Sequence, residues 1–277
     1  MGTGIPKIST AKDSMTTFEH AVAATRGARD YQEDTAAFWP GGDNPFVRTT
    51  GAVWPADGSG LAVLADGMGG HAGGALASRM VCEEFISAAA AHGGSLDERL
   101  RAALEAANAA IAGKVAENPL LAGMGSTLIG ASFSHHGIEW VSVGDSPLFL
   151  FRRGEVAVLN EDHSLAPELD RMVLAGRLTA DEARRDPRRH MLRSAVTGDE
   201  IDMVDVSLSP LALEAGDYVV LASDGIATLE PPEIARIIQG YASDGANAVA
   251  RAIIRAVESL REPHQDNATV LVVRPVG

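Results

Sequence analysis

Apolar runs of strand length recur along this chain, and three of them stop at an aspartate. The runs at 61–64 (LAVL), 139–143 (EWVSV) and 218–222 (YVVLA) lead into Ala65-Asp66-Gly67, Gly144-Asp145-Ser146 and Ser223-Asp224-Gly225. A fourth aspartate, Asp266, followed by Asn267, opens the run ATVLVV at 268–273. Short runs rich in Val, Leu and aromatics read as strands, which places these acids where strands of a sheet begin or end. Further strands are expected at about 17–24 and 203–208. Helical spacing takes over at roughly 74–91, with Leu76, Met80, Val81 and Phe85 on one face. A second helix is expected at 96–117, with Leu100, Leu104, Ala107, Ile111 and Val115 on one face and its start marked by the capping pair Ser95 and Glu98. Two more helices are expected at 231–239 and 244–260.

Between about 127 and 159 strand follows strand across short polar turns, which requires antiparallel pairing because a parallel return needs a crossover of about a dozen residues. Residues 161–198 interrupt this with two short helical pieces and a basic island of Arg184, Arg185, Arg188, Arg189 and Arg193. Segregated strands and helices predict an α+β protein built in layers. A single domain over 16–277 is expected, preceded by a disordered tail at 1–15. The glycine-rich turn at 67–74 loosely matches a dinucleotide-binding loop, but the strands after it return antiparallel, so the parallel crossover such a loop serves is missing.

Carboxylates brought within about 4 Å of one another repel by roughly 4 kcal/mol per pair at an effective dielectric near 20, so a cluster at strand ends implies bound cations. Oxygen ligands with little histidine or cysteine suit Mg²⁺ and Mn²⁺ better than Zn²⁺. The formal net charge of −14 argues against nucleic acid or an anionic membrane as the main partner. Cys82 is the only cysteine, which rules out an intramolecular disulfide framework and points to a cytoplasmic setting. Ala88 stands where a cysteine-dependent phosphatase would need an arginine six residues after its nucleophile. No apolar run approaches the roughly 18 residues of a membrane span.

The motifs fall in a fixed order: Arg29, Glu33-Asp34, Asp66-Gly67-Met68-Gly69-Gly70-His71, Gly123-Met124-Gly125-Ser126-Thr127, Gly144-Asp145-Ser146, Asp162-His163-Ser164, Ser223-Asp224-Gly225 and Asp266-Asn267-Ala268-Thr269. This series, spanning about 21–273, resembles the metal-dependent protein serine/threonine phosphatases of type 2C, in their bacterial form. The resemblance implies a four-layer α-β-β-α sandwich with two mostly antiparallel sheets. It implies two Mn²⁺ or Mg²⁺ ions in a cleft at one end, bridged by Asp66, with Glu33 and the Gly67 carbonyl on one and Asp224 and Asp266 on the other. A third, weaker ion would be held by Asp145 with Asp224. The activity implied is hydrolysis of phosphoserine and phosphothreonine proteins by direct attack of a water between the two ions, opposing a Ser/Thr protein kinase; a catalytically inactive scaffold or sensor is the alternative.

On the same resemblance Arg29 holds the phosphoryl oxygens and Asp34 orients water or Arg29 behind the ligands. Where one branch of the family has a histidine acid directly after Asp-Gly, this chain has Met68; His71 is then either the proton donor or a brace for the turn into the helix. His163 reads as a histidine bonded within its loop. Pro147 replaces the usual arginine after Gly-Asp-Ser, removing a backbone donor and fixing φ near the third-ion position. The segment 161–198 corresponds to a flap beside the cleft, and its arginines are expected to pair with Asp181, Glu182 and Asp186 rather than to dock substrate.

Overall fold

The computed structural model describes residues 17–40, 60–70 and 72–276. The expected tail at 1–15 and His71 lie outside the described residues.

Two antiparallel sheets form the centre. One runs β1 (Thr17–Thr25), β11 (Ala268–Val276), β10 (Tyr218–Ala222), β7 (Leu148–Arg152) and β8 (Glu155–Val158). The other runs β2 (Asp34–Trp39), β3 (Gly60–Met68), β5 (Leu128–Ser134), β6 (Gly137–Val143) and β9 (Asp205–Val206), with the short β4 (Gly125–Ser126) also on β3. Helices α1 (Ala72–Ala91) and α2 (Leu96–Glu117) cover the second sheet; α5 (Pro231–Tyr241) and α6 (Ala246–Leu260) cover the first. Helices α3 (Ala166–Leu174) and α4 (Ala180–Arg185) lie in the segment between β8 and β9.

The period of two along each strand builds these layers. In β3, Leu61, Val63 and Ala65 pack under α1 and α2, while Ala62 and Leu64 face the other sheet. In β10, Tyr218, Val220 and Ala222 pack under α5 and α6, while Val219 and Leu221 meet Leu64, Ile129 and Phe133 between the sheets. Strands buried on both faces need apolar residues at every position, which is why these segments read as unbroken runs rather than alternating ones. Each fully buried Val, Leu, Ile or Phe contributes about 1.5–3 kcal/mol. Among the described residues no helix is long and apolar enough to cross a membrane.

The structure departs from the sequence reading in four places. Strand β2 (Asp34–Trp39) was not anticipated: two alanines weaken its strand propensity, and it is fixed instead by pairing along β3. Strand β3 continues through Asp66 to Met68, so Asp66 lies within the strand, opposite Asp34. The strand expected at 203–208 shrinks to Asp205–Val206. Helix α1 begins at Ala72, ahead of Gly73 and Gly74.

Gly130 on β5 is required by packing. A Cβ there would overlap Cζ and Cε1 at the edge of the Phe85 ring, which is fully buried between α1 and the sheet. Gly130→Ala is therefore expected to lower stability by about 1–3 kcal/mol through overpacking. Urea unfolding tests this, and Phe85→Leu in the same chain should recover part of the loss.

Candidate metal centre

Asp66 within β3 and the aspartates beside the ends of β6, β10 and β11 reach one cleft of about 280 Å³. Of the residues singled out as metal ligands, Glu33, Asp66, Gly67, Asp145, Asp224 and Asp266 all line it, together with Arg29. Met68, Thr127, His190, Leu192 and Asn267 complete much of the wall.

Asp66 is held through its backbone. Its N–H donates to Thr127 Oγ1 (2.9 Å), and its carbonyl accepts from Thr127 N–H (2.9 Å) and Ser126 Oγ (2.8 Å). Next to it, Gly67 N–H donates to the Glu33 carbonyl at 3.1 Å. A side chain at Gly67 would run into the carbonyls of Gly74 and Glu33, so only glycine lets the strand pass. A Cβ on Gly74 would in turn strike Glu33 Oε1 and approach the Gly67 carbonyl oxygen within 2.9 Å. The bare start of α1 thus leaves one space toward which a carboxylate oxygen and a backbone oxygen both point.

Asn267 ties the loop at 26–33 to the sheet. Its Oδ1 accepts from Glu33 N–H (2.7 Å), and its Nδ2 donates to the carbonyls of Arg26 and Tyr31 (3.0 Å each). Every hydrogen-bonding position of that amide except one lone pair fixes the segment carrying Arg29 and Glu33. The Asp-Asn pair was visible in the sequence, but this role requires contacts across more than two hundred positions and was missed.

Asp224 starts a short 3-10 turn after β10. The preceding Ser223 donates from Oγ to Asp34 Oδ2 at 2.7 Å and accepts from Thr269 N–H at 2.9 Å. Asp34 is buried beneath the cleft; its second oxygen has no hydrogen-bond partner. Of the two tasks expected of Asp34, orienting water or Arg29, the second is corrected: Arg29 Nη2 pairs with Asp266 Oδ2 at 2.5 Å, while Asp34 accepts from Ser223 Oγ at the β10 turn.

Asp145 follows Gly144, whose N–H donates to Nδ1 of His163 (3.2 Å) while its carbonyl accepts from His163 N–H (3.1 Å). His163 is buried, burial lowers its pKa, and its ring braces the turn that carries Asp145. Pro147 sits at the entry to β7 with its carbonyl accepting from Ala222 N–H.

The electrostatics follow from burial and crowding. Desolvation, then repulsion from Asp34, Asp224, Asp145 and Asp266, raises Asp66 well above the usual carboxylate range. Asp224 is raised by burial and then by Asp266, and a hydrogen bond with Asp66 offsets part of this. Burial carries Asp34 to about 6, and burial followed by Asp224 and Asp162 carries Asp145 to about 7. As the side chains stand, with Asp266 paired to Arg29, no three His, Cys, Asp or Glu side chains among the described residues are grouped closely enough to hold one ion. A cation here would complete its shell with backbone and water oxygens, as Mg²⁺ commonly does.

The basic island is largely self-neutralised. Arg184 and Arg185 pair with Asp181, Arg188 with Asp186, Arg189 with Asp170 and Arg193 with Glu168. Glu182 is not among these partners: it closes a capping box with Thr179 at the start of α4.

Because Asp145 rises from 3.8 to about 7 on folding, the folded state holds the extra proton between those values. The contribution favours folding fully below pH ~4 and is lost as pH climbs through about 7. In chelator, Asp145→Asn is expected to match the parent near pH 4 and to exceed its stability near pH 8 by on the order of 1 kcal/mol or more. A denaturation series across that range reads the difference; a constant offset would contradict it.

The protein phosphatase 2C family model matches residues 49–271. The chain is 37% identical over 237 residues to the serine/threonine protein phosphatase PstP of Mycobacterium tuberculosis strain H37Rv, an alignment covering 83% of this chain and 43% of that protein. It thus spans less than half the length of that relative. The crystal structure of PstP from M. tuberculosis superposes with a TM-score of 0.72 at 31% identity, covering 92% of this chain and 97% of that one. The catalytic domain of PstP in complex with two manganese ions gives a TM-score of 0.71 at 30% identity, covering 95% and 100%. The fold, the order of the motifs and these matches agree that the chain belongs to the protein phosphatase 2C family, in its bacterial form.

Proposed function

We propose that this chain hydrolyses phosphoserine and phosphothreonine in proteins with the help of two Mn²⁺ or Mg²⁺ ions, reversing the action of a Ser/Thr protein kinase. The observation that carries this reading is the meeting of Glu33, Asp66, Asp145, Asp224 and Asp266 in one cleft beside Arg29. These are hard oxygen donors whose mutual repulsion favours divalent cations. The PstP catalytic domain has been crystallised with two manganese ions.

Asp66, on which Asp224, Asp145 and Asp266 all act, is assigned the bridging position. Glu33 and the Gly67 carbonyl, which share the space at the start of α1, would hold one ion, and Asp224 and Asp266 the other. Asp145, sharing Asp224, would support a third and weaker ion. Bound there, the cations would acidify water and neutralise charge on the phosphoryl oxygens. Arg29 stands half exposed at the same wall, where its guanidinium can present two parallel N–H donors to a phosphoryl group. To serve as a ligand, Asp266 would have to exchange its pairing with Arg29 for the cation. Thr127 and Asn267 hold Asp66 and Glu33 through backbone hydrogen bonds, so the ligand geometry is fixed before substrate arrives.

Phosphate release from phosphothreonine peptides should require Mn²⁺ or Mg²⁺ and stop in excess EDTA. Asp66→Asn should lose roughly 10² or more in kcat while staying folded by circular dichroism. Near-normal kcat at saturating Mn²⁺ would remove Asp66 from the bridging position. Arg29→Ala should instead raise KM several-fold and leave calorimetric Mn²⁺ binding in place; lost metal binding with unchanged KM would make Arg29 structural.

A further inference from the structure

His190 was not singled out by the sequence, where it is one residue in a basic run. In the structure it lines the same cleft as Arg29, Asp66, Asp145 and Asp224. It lies near enough to Asp224 for their charges to interact. Its position is fixed from both sides. Arg189 makes a two-pronged pair with Asp170 on α3 (2.8 and 2.9 Å). The Met191 carbonyl accepts from Leu165 N–H, and Leu192 bridges to Ser164. The neighbouring arginines at 184, 185, 188, 189 and 193 are each engaged by a carboxylate. His190 makes no side-chain hydrogen bond or ion pair among the described residues, so its ring nitrogens remain available to a substrate.

Resting on the phosphatase reading above, we infer that His190 is a catalytic residue that protonates the departing seryl or threonyl oxygen. As water oxygen bonds to phosphorus, the bond from phosphorus to the side-chain oxygen breaks and its electron pair stays on that oxygen. The imidazolium N–H passes its proton there, giving the free hydroxyl. The water's proton leaves to solvent, from which the imidazole is recharged. The other groups on the described wall are occupied by different tasks: the carboxylates as cation ligands, Arg29 as a permanent cation that cannot release a proton, and Met68 with none to give. Imidazole is the side chain best suited to carry a transferable proton near neutral pH.

The test uses two substrates that differ in leaving group. A phosphothreonine peptide expels an alkoxide that needs a proton, whereas p-nitrophenyl phosphate expels a stable phenolate. His190→Ala should reduce kcat/KM on the peptide by about 10² or more and on p-nitrophenyl phosphate by less than about threefold. His190→Gln, which keeps an N–H but cannot transfer its proton, should show the same peptide loss. Arg188→Ala, which removes a nearby charge, should leave the ratio of the two activities unchanged. Equal losses on both substrates, rescue by glutamine, or the same selective loss from Arg188→Ala or His71→Ala in place of His190→Ala would overturn the assignment. A parent protein with no Mn²⁺-dependent activity on p-nitrophenyl phosphate would instead overturn the phosphatase reading, and this inference with it.

Discussion

Everything at this end of the molecule depends on the cost of keeping several carboxylates close together and partly out of water. Asp34 and Asp66 face each other across β2 and β3, and Asp66 also feels Asp224, Asp145 and Asp266. Like charges placed opposite one another on a sheet are destabilising, and burial adds to the penalty. Asp34, Asp66, Asp145 and Asp224 therefore ionise reluctantly. Divalent cations held as proposed would remove the penalty by giving the cleft carboxylates a counter-charge. An affinity for metal would then share its cause with the instability of the bare cluster.

The sandwich makes this crowding possible. β10 and β11 come from one sheet and β3 and β6 from the other, and their ends meet because the layers are packed by a continuous apolar interior. That interior supplies the stabilisation against which the strained end is held. Rigidity at the cleft comes from polar contacts placed just behind it. Asn267 anchors the Arg29–Glu33 loop, Thr127 anchors Asp66, Ser223 joins Asp34 to β11, and His163 braces the turn before Asp145. None of these groups needs to touch substrate to matter.

Much of this was legible in the sequence for a definite physical reason. Strands buried on both faces must be uniformly apolar, so β3, β10 and β11 announced themselves, and Asp224-Gly225 after β10 and Asp266-Asn267 before β11 do mark strand ends, whereas β3 runs on through Asp66-Gly67. The capping box at Ser95 and Glu98 located α2 and is present. What stayed hidden was set by tertiary contact rather than by local pattern. Strand β2, with its two alanines, is defined by its partner. Asp34 looked like part of the Glu33-Asp34 pair, yet it turns away from the cleft to Ser223. His190 was indistinguishable from its arginine neighbours until the ion pairs around it showed which side chains were already committed.

The most direct test of the central claim is calorimetric titration of the metal-free protein with Mn²⁺ near pH 6.5 in buffers of different ionisation enthalpy. Raised carboxylate pKa values require that cations displace protons as they bind. The account predicts Mn²⁺ binding with net proton release and a rise in Tm. Binding with no buffer dependence, or no binding at millimolar Mn²⁺, would contradict it.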